Sequence, residues 1–238
     1  MSASTEKQVL LSARVAGLAY LIIIVAGLFA QLAVFQPLVQ GSAAATADAI
    51  EANGLLWRIG IAVNVVGLIA NVPLGVILYG LFNRVHPILA RCALAFILIC
   101  ATMEAGNLLL LYVPLATGPA GGPLGAAAMV EWRALAYAAI RLNAVGFGLA
   151  LLFFAGFCIL TGVLITLSHI VPRLLGVLMV LAGVCYALNT LAMLVAPGIW
   201  AVISPGILVP CLVAEASLAM WLLVKGTAGR DMGAAARI

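Results

Sequence analysis

Charged residues are scarce in this sequence, and histidine is almost absent. Charged side chains make up 8 % of the 238 residues, hydrophobic side chains make up 66 %, and there are two histidines. Because about a quarter of the residues in a soluble domain are usually charged, this composition excludes a soluble protein. The histidines lie in the short loop motifs VHP and SHIVPR, far from the carboxylates of the apolar segments. This placement excludes a Ser-His-Asp catalytic group, and it is a poor one for ligating haem across the membrane.

The cysteines form no motif. There are five, none of them in a C-x-x-C pair or near a histidine at ligand spacing, and all lie in apolar stretches: Cys92, Cys100, Cys158, Cys185 and Cys211. Such residues are typical of small buried hydrophobic side chains. We therefore expect no disulfide, no metal site and no cofactor.

What the chain has in abundance is long apolar segments. Six of them can cross roughly 30 Å of hydrocarbon, at residues 15–35, 57–82, 88–113, 143–167, 174–195 and 203–224. The pattern predicts an all-α, polytopic transmembrane bundle of six helices in a single domain over residues 1–226. Residues 227–238 are predicted to be a disordered cytoplasmic tail. The first segment is longer than the usual core of a cleaved signal peptide, so we expect it to remain as a span.

The position of the basic residues predicts the orientation. With both termini inside, eight of the eleven Lys and Arg residues fall in cytoplasmic segments, as the positive-inside rule requires. The net charge of +4 then orients the protein in its lipid bilayer and indicates no nucleic-acid partner.

The two longer segments outside the predicted membrane contain helical sequence. The first is expected to hold a short helix from about Thr46. In the second, Gly and Pro stop at Gly125, and a helix is expected to run directly into the fourth span. Arg133, Tyr137 and Arg141 share one face of that helix, where they fit an anchor at the level of the lipid headgroups.

A shift of 85 residues aligns two parts of the sequence without a gap. It places Pro87 on Pro172, Cys100 on Cys185, Arg58 on Asn143 and Glu104 on Asn189. This predicts a parallel repeat of the hairpin of spans two and three with that of spans four and five. Chance similarity is the alternative, because matches are frequent in so apolar a chain.

Two carboxylates lie inside apolar spans, Glu104 and Glu215. A charged residue there costs roughly 2.5 to 3.5 kcal/mol and normally faces the bundle interior or water. We expect both to face inward, in a polar cluster that opens outward, with Arg58 or Arg141 as the partner of Glu104. The candidate ligand-binding residues are Glu104, Arg58, Arg141, Glu215, Asn107, Asn64, Asn143 and Asn189; no catalytic or metal-binding residue is assigned.

Three functions remain open for this cluster. The first is binding or translocation of a small solute or ion. The second is a purely structural network in a non-enzymatic sensor or accessory subunit, in which the asparagines join helices by hydrogen bonds. The third is an intramembrane enzyme acting on lipid, with Glu104 and Glu215 as acid and base. No motif names a substrate, and the sequence does not indicate an oligomeric state.

Nearly the whole chain resembles a known family. The stretch LITLSHIVPRLLGVLMVLAGVCYALNTLAMLVAP, followed by LVAEASLAMWLLVKG, resembles the bacterial membrane proteins grouped as domain of unknown function 4386. The early RVAGLAYLIIIVAG and the LLWRIG before the second span fit the same pattern. The most specific pieces are the residues from Pro172 to Gly176, Tyr186, and Glu215 with the WLLVKG that follows. The resemblance implies a multi-pass protein of the bacterial inner membrane with an embedded Glu in its last span, and it implies no activity.

Overall fold

The described chain is helical throughout its long segments. The computed structural model describes residues 3–116, 126–168, 170–204 and 206–226, and no strand occurs among them. The helices are α1 (Ala3–Leu28), α2 (Ala43–Ala52), α3 (Gly54–Phe82), α4 (Pro87–Asn107), α5 (Ala126–Ser168), α6 (Arg173–Val195), α7 (Pro197–Ile203) and α8 (Val209–Val224). The predicted tail at 227–238 and the Gly and Pro segment at 117–125 lie outside the described residues.

Six helical segments of the described chain are long and apolar enough to cross a membrane. They are Leu10–Leu38, Gly54–Phe82, Pro87–Ala116, Ala128–Ser168, Arg173–Val195 and Gly206–Val224. Their outer faces carry large apolar side chains, such as Ile69 and Leu181, which are 66 % and 48 % exposed. An exposed apolar face of this kind suits contact with lipid. The predicted all-α bundle of six spans is therefore confirmed.

Two of these segments leave regular α-helical geometry near one end of the bundle. After α1, the chain continues as a π-helix over Phe29–Phe35 and a last turn at Gln36–Leu38. After α4, it continues as a 3-10 helix over Leu108–Tyr112 and a turn at Val113–Ala116. The second deviation directly follows Asn107, one turn after Glu104, and such deviations are common at functional sites and hinges.

The helices between the spans follow the sequence signals. Ser42 caps α2 by accepting a hydrogen bond from the Ala45 N–H at 3.2 Å, which satisfies one of the free donors of the first turn. The helix thus begins three residues before the predicted Thr46. α5 runs for 43 residues without a break, which confirms that the segment before the fourth span is continuous with it.

The six long helices form a closed ring. α1 packs against α3, α3 against α4, α4 against α5, α5 against α6, α6 against α8, and α8 returns to α1. Close approach is set by glycine where α5 meets α6: a Cβ on Gly162 would lie 2.5 Å from the Gly176 carbonyl oxygen, and one on Gly176 would lie 2.7 Å from that of Gly162. Small residues of this kind let membrane helices pack with their backbones in contact.

Two apolar clusters fill the ring. The larger one is built around Tyr20, Leu74, Phe157 and Met179, all fully buried. The smaller one, here called the end cluster, consists of Ala30, Val34, Phe35, Leu38, Ile50, Trp57, Ile61, Leu108, Leu111 and Ile140. It joins the π-helical and 3-10 segments to α2, α3 and α5.

Candidate functional site

Glu104 and Glu215 are both buried in the bundle. Glu104 lies near the end of α4 and is 7 % exposed, and Glu215 lies in the middle of α8 and is 5 % exposed. The two carboxyl groups have different hydrogen-bonding neighbours: the Asn107 amide lies at the first, whereas the Tyr186 and Tyr20 phenols lie at the second. The Cys100 thiol faces both. The candidate site therefore consists of two polar groups rather than one.

The Glu104 group is built on a reciprocal contact between α4 and α5. The Asn107 side chain donates from Nδ2 to the Asn143 carbonyl oxygen at 2.9 Å, and the Asn143 side chain donates from Nδ2 to the Asn107 carbonyl oxygen at 3.0 Å. The Asn107 side chain also lies at the carboxyl group of Glu104, one turn earlier on α4. Interhelical amide bonds of this type fix the register of membrane helices.

Glycine on α5 makes room for this contact. A Cβ on Gly146 would lie 2.7 Å from Asn107 Cγ, and closer still to its Oδ1. Two residues later, about half a helical turn away, the carbonyl oxygen of Gly148 accepts a buried hydrogen bond from Thr190 Oγ1 of α6 at 2.9 Å. Residues 143–148 of α5 thus carry polar contacts to α4 on one side and to α6 on the other.

Two buried oxygens at this level have no hydrogen-bond donor among the described residues. They are Glu104 Oε2 and Asn189 Oδ1. Asn189 is 5 % exposed and precedes Thr190 on α6. A buried acceptor without a donor costs about 1 to 3 kcal/mol, so each of these atoms is a point where a donor from another molecule would be favourable.

The Glu215 group joins α8 to α6 and α1. Tyr186 Oη of α6 donates to Glu215 Oε1 at 2.5 Å. The Tyr20 hydroxyl of α1 lies close enough to the same carboxyl group to interact with it, but its geometry with that group and with the other described residues is not that of a formed hydrogen bond. The Tyr186 ring is held by an edge contact with Phe154, at a centroid distance of 5.6 Å.

The expected arginine partners of Glu104 are not there. Arg58 and Arg141 are both exposed, and the prediction that one of them pairs with Glu104 is wrong. The reason is the direction in which these side chains leave their helices. Trp57 precedes Arg58 and is 0 % exposed, and Ile140 precedes Arg141 and is 6 % exposed. A step of one residue turns a helical side chain by about 100°, so each arginine points away from the interior.

Arg133 forms two ion pairs within the described chain. Its guanidinium lies 2.9 Å from Asp48 Oδ1 and 3.8 Å from Glu51 Oε2. These pairs connect α5 to α2, outside the long apolar part of the bundle. The proposed anchor face of Arg133 thus also contacts the short helix α2.

Asn64, another candidate residue, is half-buried on α3.

The outward opening of the Glu104 group stays a prediction, and the described residues directly beyond Asn107 are apolar. Leu108 and Leu111 follow Asn107 on α4 and belong to the end cluster. Trp57 closes this cluster further, because its indole Nε1 donates to the Leu111 carbonyl oxygen at 2.8 Å. Apolar side chains therefore occupy the end of the bundle into which the polar group was expected to open.

One apolar cleft lies elsewhere in the described chain. It has a volume of about 470 Å³ and lies between α1 and α3, where Leu21, Phe29 and Val66 line it. None of the candidate polar residues lines this cleft. Among the described residues, no group of three or more His, Cys, Asp and Glu side chains could hold a metal ion.

Sequence reasoning missed three residues of these groups. Tyr186 was noted only as part of the family resemblance, and Tyr20 and Gly146 were not considered. A tyrosine in the middle of an apolar span is itself a signal, because a buried hydroxyl needs a partner. Gly146 gave no such signal, because its role depends on which residue of α4 lies opposite it.

Comparison with known proteins identifies the family and nothing further. Searches of curated proteins and of solved structures each found no significant match. The model of the family described as a domain of unknown function, DUF4386, matches residues 15–226, which is most of the chain. Tyr186 and Glu215, which the structure joins by a hydrogen bond, both lie within that range. The chain is a multi-pass membrane protein that belongs to the DUF4386 family.

Proposed function

We propose that this protein binds a small polar solute or cation inside the bundle, at Glu104, Asn107, Asn143 and Asn189. The observation that carries the proposal is the buried Glu104 Oε2, which has no donor among the described residues. Embedded carboxylates in membrane proteins commonly mark substrate or ion pathways. We place the protein in the inner membrane of a bacterium, with both termini in the cytoplasm, and propose translocation of the same solute as its wider role.

The chemistry of the free atoms indicates the class of ligand. The Asn107 amide already donates to the Asn143 carbonyl oxygen, whereas Glu104 Oε2 and Asn189 Oδ1 have no donor among the described residues; the amide oxygen, and the carboxyl oxygen of an ionised Glu104, can only accept. A ligand at this level therefore has to bring N–H or O–H donors, or a positive charge. An amine, an alcohol or a small cation fits this requirement, and an anion does not.

A purely structural network is the second candidate. It is favoured by the reciprocal bonds of Asn107 and Asn143, which join two helices without any ligand. In that case the protein is a sensor or an accessory subunit. An intramembrane enzyme acting on lipid has less support, because Glu104 and Glu215 have separate hydrogen-bonding neighbours.

Native mass spectrometry tests the proposal. The full chain is released from gentle detergent as wild type, as Glu104→Gln and as Glu131→Gln, an exposed carboxylate that serves as the matched control. A small molecule that is retained by wild type and the control, and lost from Glu104→Gln, supports a ligand at this site. The same spectrum for all three proteins contradicts it.

Stability without ligand separates the two candidates. A binding site predicts that bare Glu104→Gln is about as stable as bare wild type, because Oε2 has no partner to lose. A structural network predicts a loss of a few kcal/mol, since removal of one member of a buried polar network leaves the others uncompensated. The midpoint of thermal unfolding in detergent measures the difference.

A further inference from the structure

The Glu215 group has a composition unlike that of the Glu104 group. Its oxygens come from one carboxyl group and two phenols, supplied by α8, α6 and α1. The Cys158 thiol of α5 lies beside the Tyr20 hydroxyl. Four helices of the ring thus contribute side chains to one buried polar group, and the described members of this group include no asparagine.

The positions of these side chains are well fixed. Tyr20 and Cys158 are both 0 % exposed, and Tyr186 is held by its ring contact with Phe154. One turn before Glu215, the Cys211 thiol donates to the Ala182 carbonyl oxygen at 3.4 Å. Among these hydrogen-bonding groups, the Tyr20 hydroxyl is without a hydrogen bond in the described chain.

The buried parts of the described chain provide no positive charge for this carboxyl group. The buried polar and charged residues are Thr46, Asn71, Glu104, Thr161, Asn189, Thr190 and Glu215, with no Lys, Arg or His. The titratable groups that face Glu215 are Tyr20 of α1, Cys100 of α4, Cys158 of α5, Tyr186 of α6 and Cys211 of α8. All of these are neutral or negative.

We propose that Glu215, Tyr186 and Tyr20 form a second site, distinct from the Glu104 site, which takes a single positive charge from outside the protein. A carboxylate without a positive charge is costly at membrane depth. The charge is either a proton on the carboxyl group or a small monovalent cation among the three oxygens, since oxygen ligands suit hard cations. Tyr20 is the residue that makes this more than a buried carboxyl group: its free hydroxyl can accept from a protonated Glu215 or coordinate a cation.

This site does not depend on the function proposed for Glu104. Membrane transporters often hold a coupling ion beside the substrate site, and such coupling would connect the two groups if both bind. A solute at Glu104 is nevertheless not required for Glu215 to hold its charge. The two proposals can therefore fail separately.

Infrared spectroscopy and thermal unfolding of the full chain test the site together. The protein is compared in NaCl and in N-methyl-D-glucamine chloride at equal ionic strength and fixed pH. The variants are Glu215→Gln and Tyr20→Phe, with Glu104→Gln and Glu131→Gln as controls for the other buried carboxyl group and for an exposed one. Tyr20→Phe removes a hydroxyl that makes no hydrogen bond among the described residues, so its fold is expected to be retained.

Two results support the proposal and identify the charge. If a proton is held, the carbonyl band of a protonated carboxyl group is lost in Glu215→Gln, shifts in Tyr20→Phe and does not respond to NaCl. If a cation is held, NaCl raises the unfolding midpoint of wild type, and this gain is lost in Glu215→Gln and reduced in Tyr20→Phe. In both cases the two control variants keep the wild-type response.

Two results would overturn the proposal. One is a spectrum that shows an ionised Glu215, together with an unfolding midpoint of the protein that is the same in both salts. The carboxylate would then be buried without any bound charge. The other is a response that is the same in wild type and in Tyr20→Phe, which would show that the Tyr20 hydroxyl takes no part. Loss of the ligand from Glu104→Gln, with an unchanged Glu215 response, would concern the first site alone.

Discussion

Substitution of Gly146 by alanine tests the contact between α4 and α5 beside Glu104. The new Cβ would lie 2.7 Å from Asn107 Cγ, so the Asn107 side chain has to move and to release the Asn143 carbonyl oxygen. Overpacking of a membrane interior is expected to cost about 1 to 3 kcal/mol, and the lost interhelical hydrogen bond about 0.6 kcal/mol. The expected loss of stability is therefore about 2 to 4 kcal/mol.

A double-mutant cycle shows whether this loss has the stated cause. In the Asn107→Ala background the clashing side chain is gone, and Gly146→Ala should cost less than about 1 kcal/mol, because alanine also favours the helix. The hydrogen bond from Asn143 Nδ2 to the Asn107 carbonyl oxygen involves only the backbone of residue 107, so it remains. Gly106→Ala is the matched control, since a Cβ there meets no atom within 4 Å.

Reversible unfolding in mixed detergent and denaturing micelles measures all four stabilities of the cycle. Gly106→Ala is expected to be neutral or to stabilise the protein by up to about 1 kcal/mol. If Gly146→Ala costs the same with and without the Asn107 side chain, the close contact is not the cause and the reasoning is refuted. A destabilised Gly106→Ala would show that any Cβ in this region is harmful.

Three further predictions each concern a single contact. Tyr186→Phe should lower the stability by about 1 to 3 kcal/mol, because it leaves a buried carboxyl oxygen without its donor; an unchanged thermal midpoint would contradict the 2.5 Å hydrogen bond. Neutralisation of Arg133 and Asp48, singly and together, gives the coupling free energy between the two side chains. It should be no more than about 1 kcal/mol and should disappear at high salt, because the pair is partly exposed. A coupling free energy that is unchanged at high salt would indicate a buried pair. Trp57→Phe should lower the stability by about 1 to 3 kcal/mol, because the Leu111 carbonyl oxygen loses the indole donor. Trp200→Phe should lower it less in the same denaturation assay, since the Trp200 indole N–H has no partner among the described residues. Equal losses of stability would refute this role of the Trp57 indole.

The sequence predicted the six spans and the continuous fourth helix because both depend on local properties. Apolar runs of sufficient length cross a bilayer whatever their neighbours are, and the absence of Gly and Pro between Gly125 and Gly146 allowed one helix to continue into the span. The irregular geometry at Phe29–Phe35 and Leu108–Tyr112 was not predicted. A proline follows each stretch, and Pro37 and Pro114 cannot donate to the carbonyl oxygens of Ala33 and Leu110, four residues earlier. That signal disturbs the helix, but whether the result is a π-helix or a 3-10 helix depends on packing in the end cluster.

The partners of the buried carboxyl groups could be predicted only in part. That Glu104 and Glu215 lie inside the bundle followed from the cost of a charge in lipid. The sequence indicates the membrane depth of a residue, but it does not indicate the face of the helix on which the residue lies when the span is apolar all round. The prediction of Arg58 as a partner was wrong for this reason. Asn107 and Tyr186 were in the right segments, but their contacts depend on how neighbouring helices are rotated.

The closed ring brings the two ends of the described chain together. α1 packs directly against α8, and a Cβ on Gly226, which ends the last helix with a φ of 66°, would contact Leu10 of the first. The short connection between α3 and α4 lies at the same end of the bundle as residues 10 and 226, because the chain crosses the bundle once in α1 and back again in α3. A circular permutant joined between residues 226 and 10 and opened at residues 83–86 would therefore keep every helix pair of the ring and the same side of the membrane for its new termini.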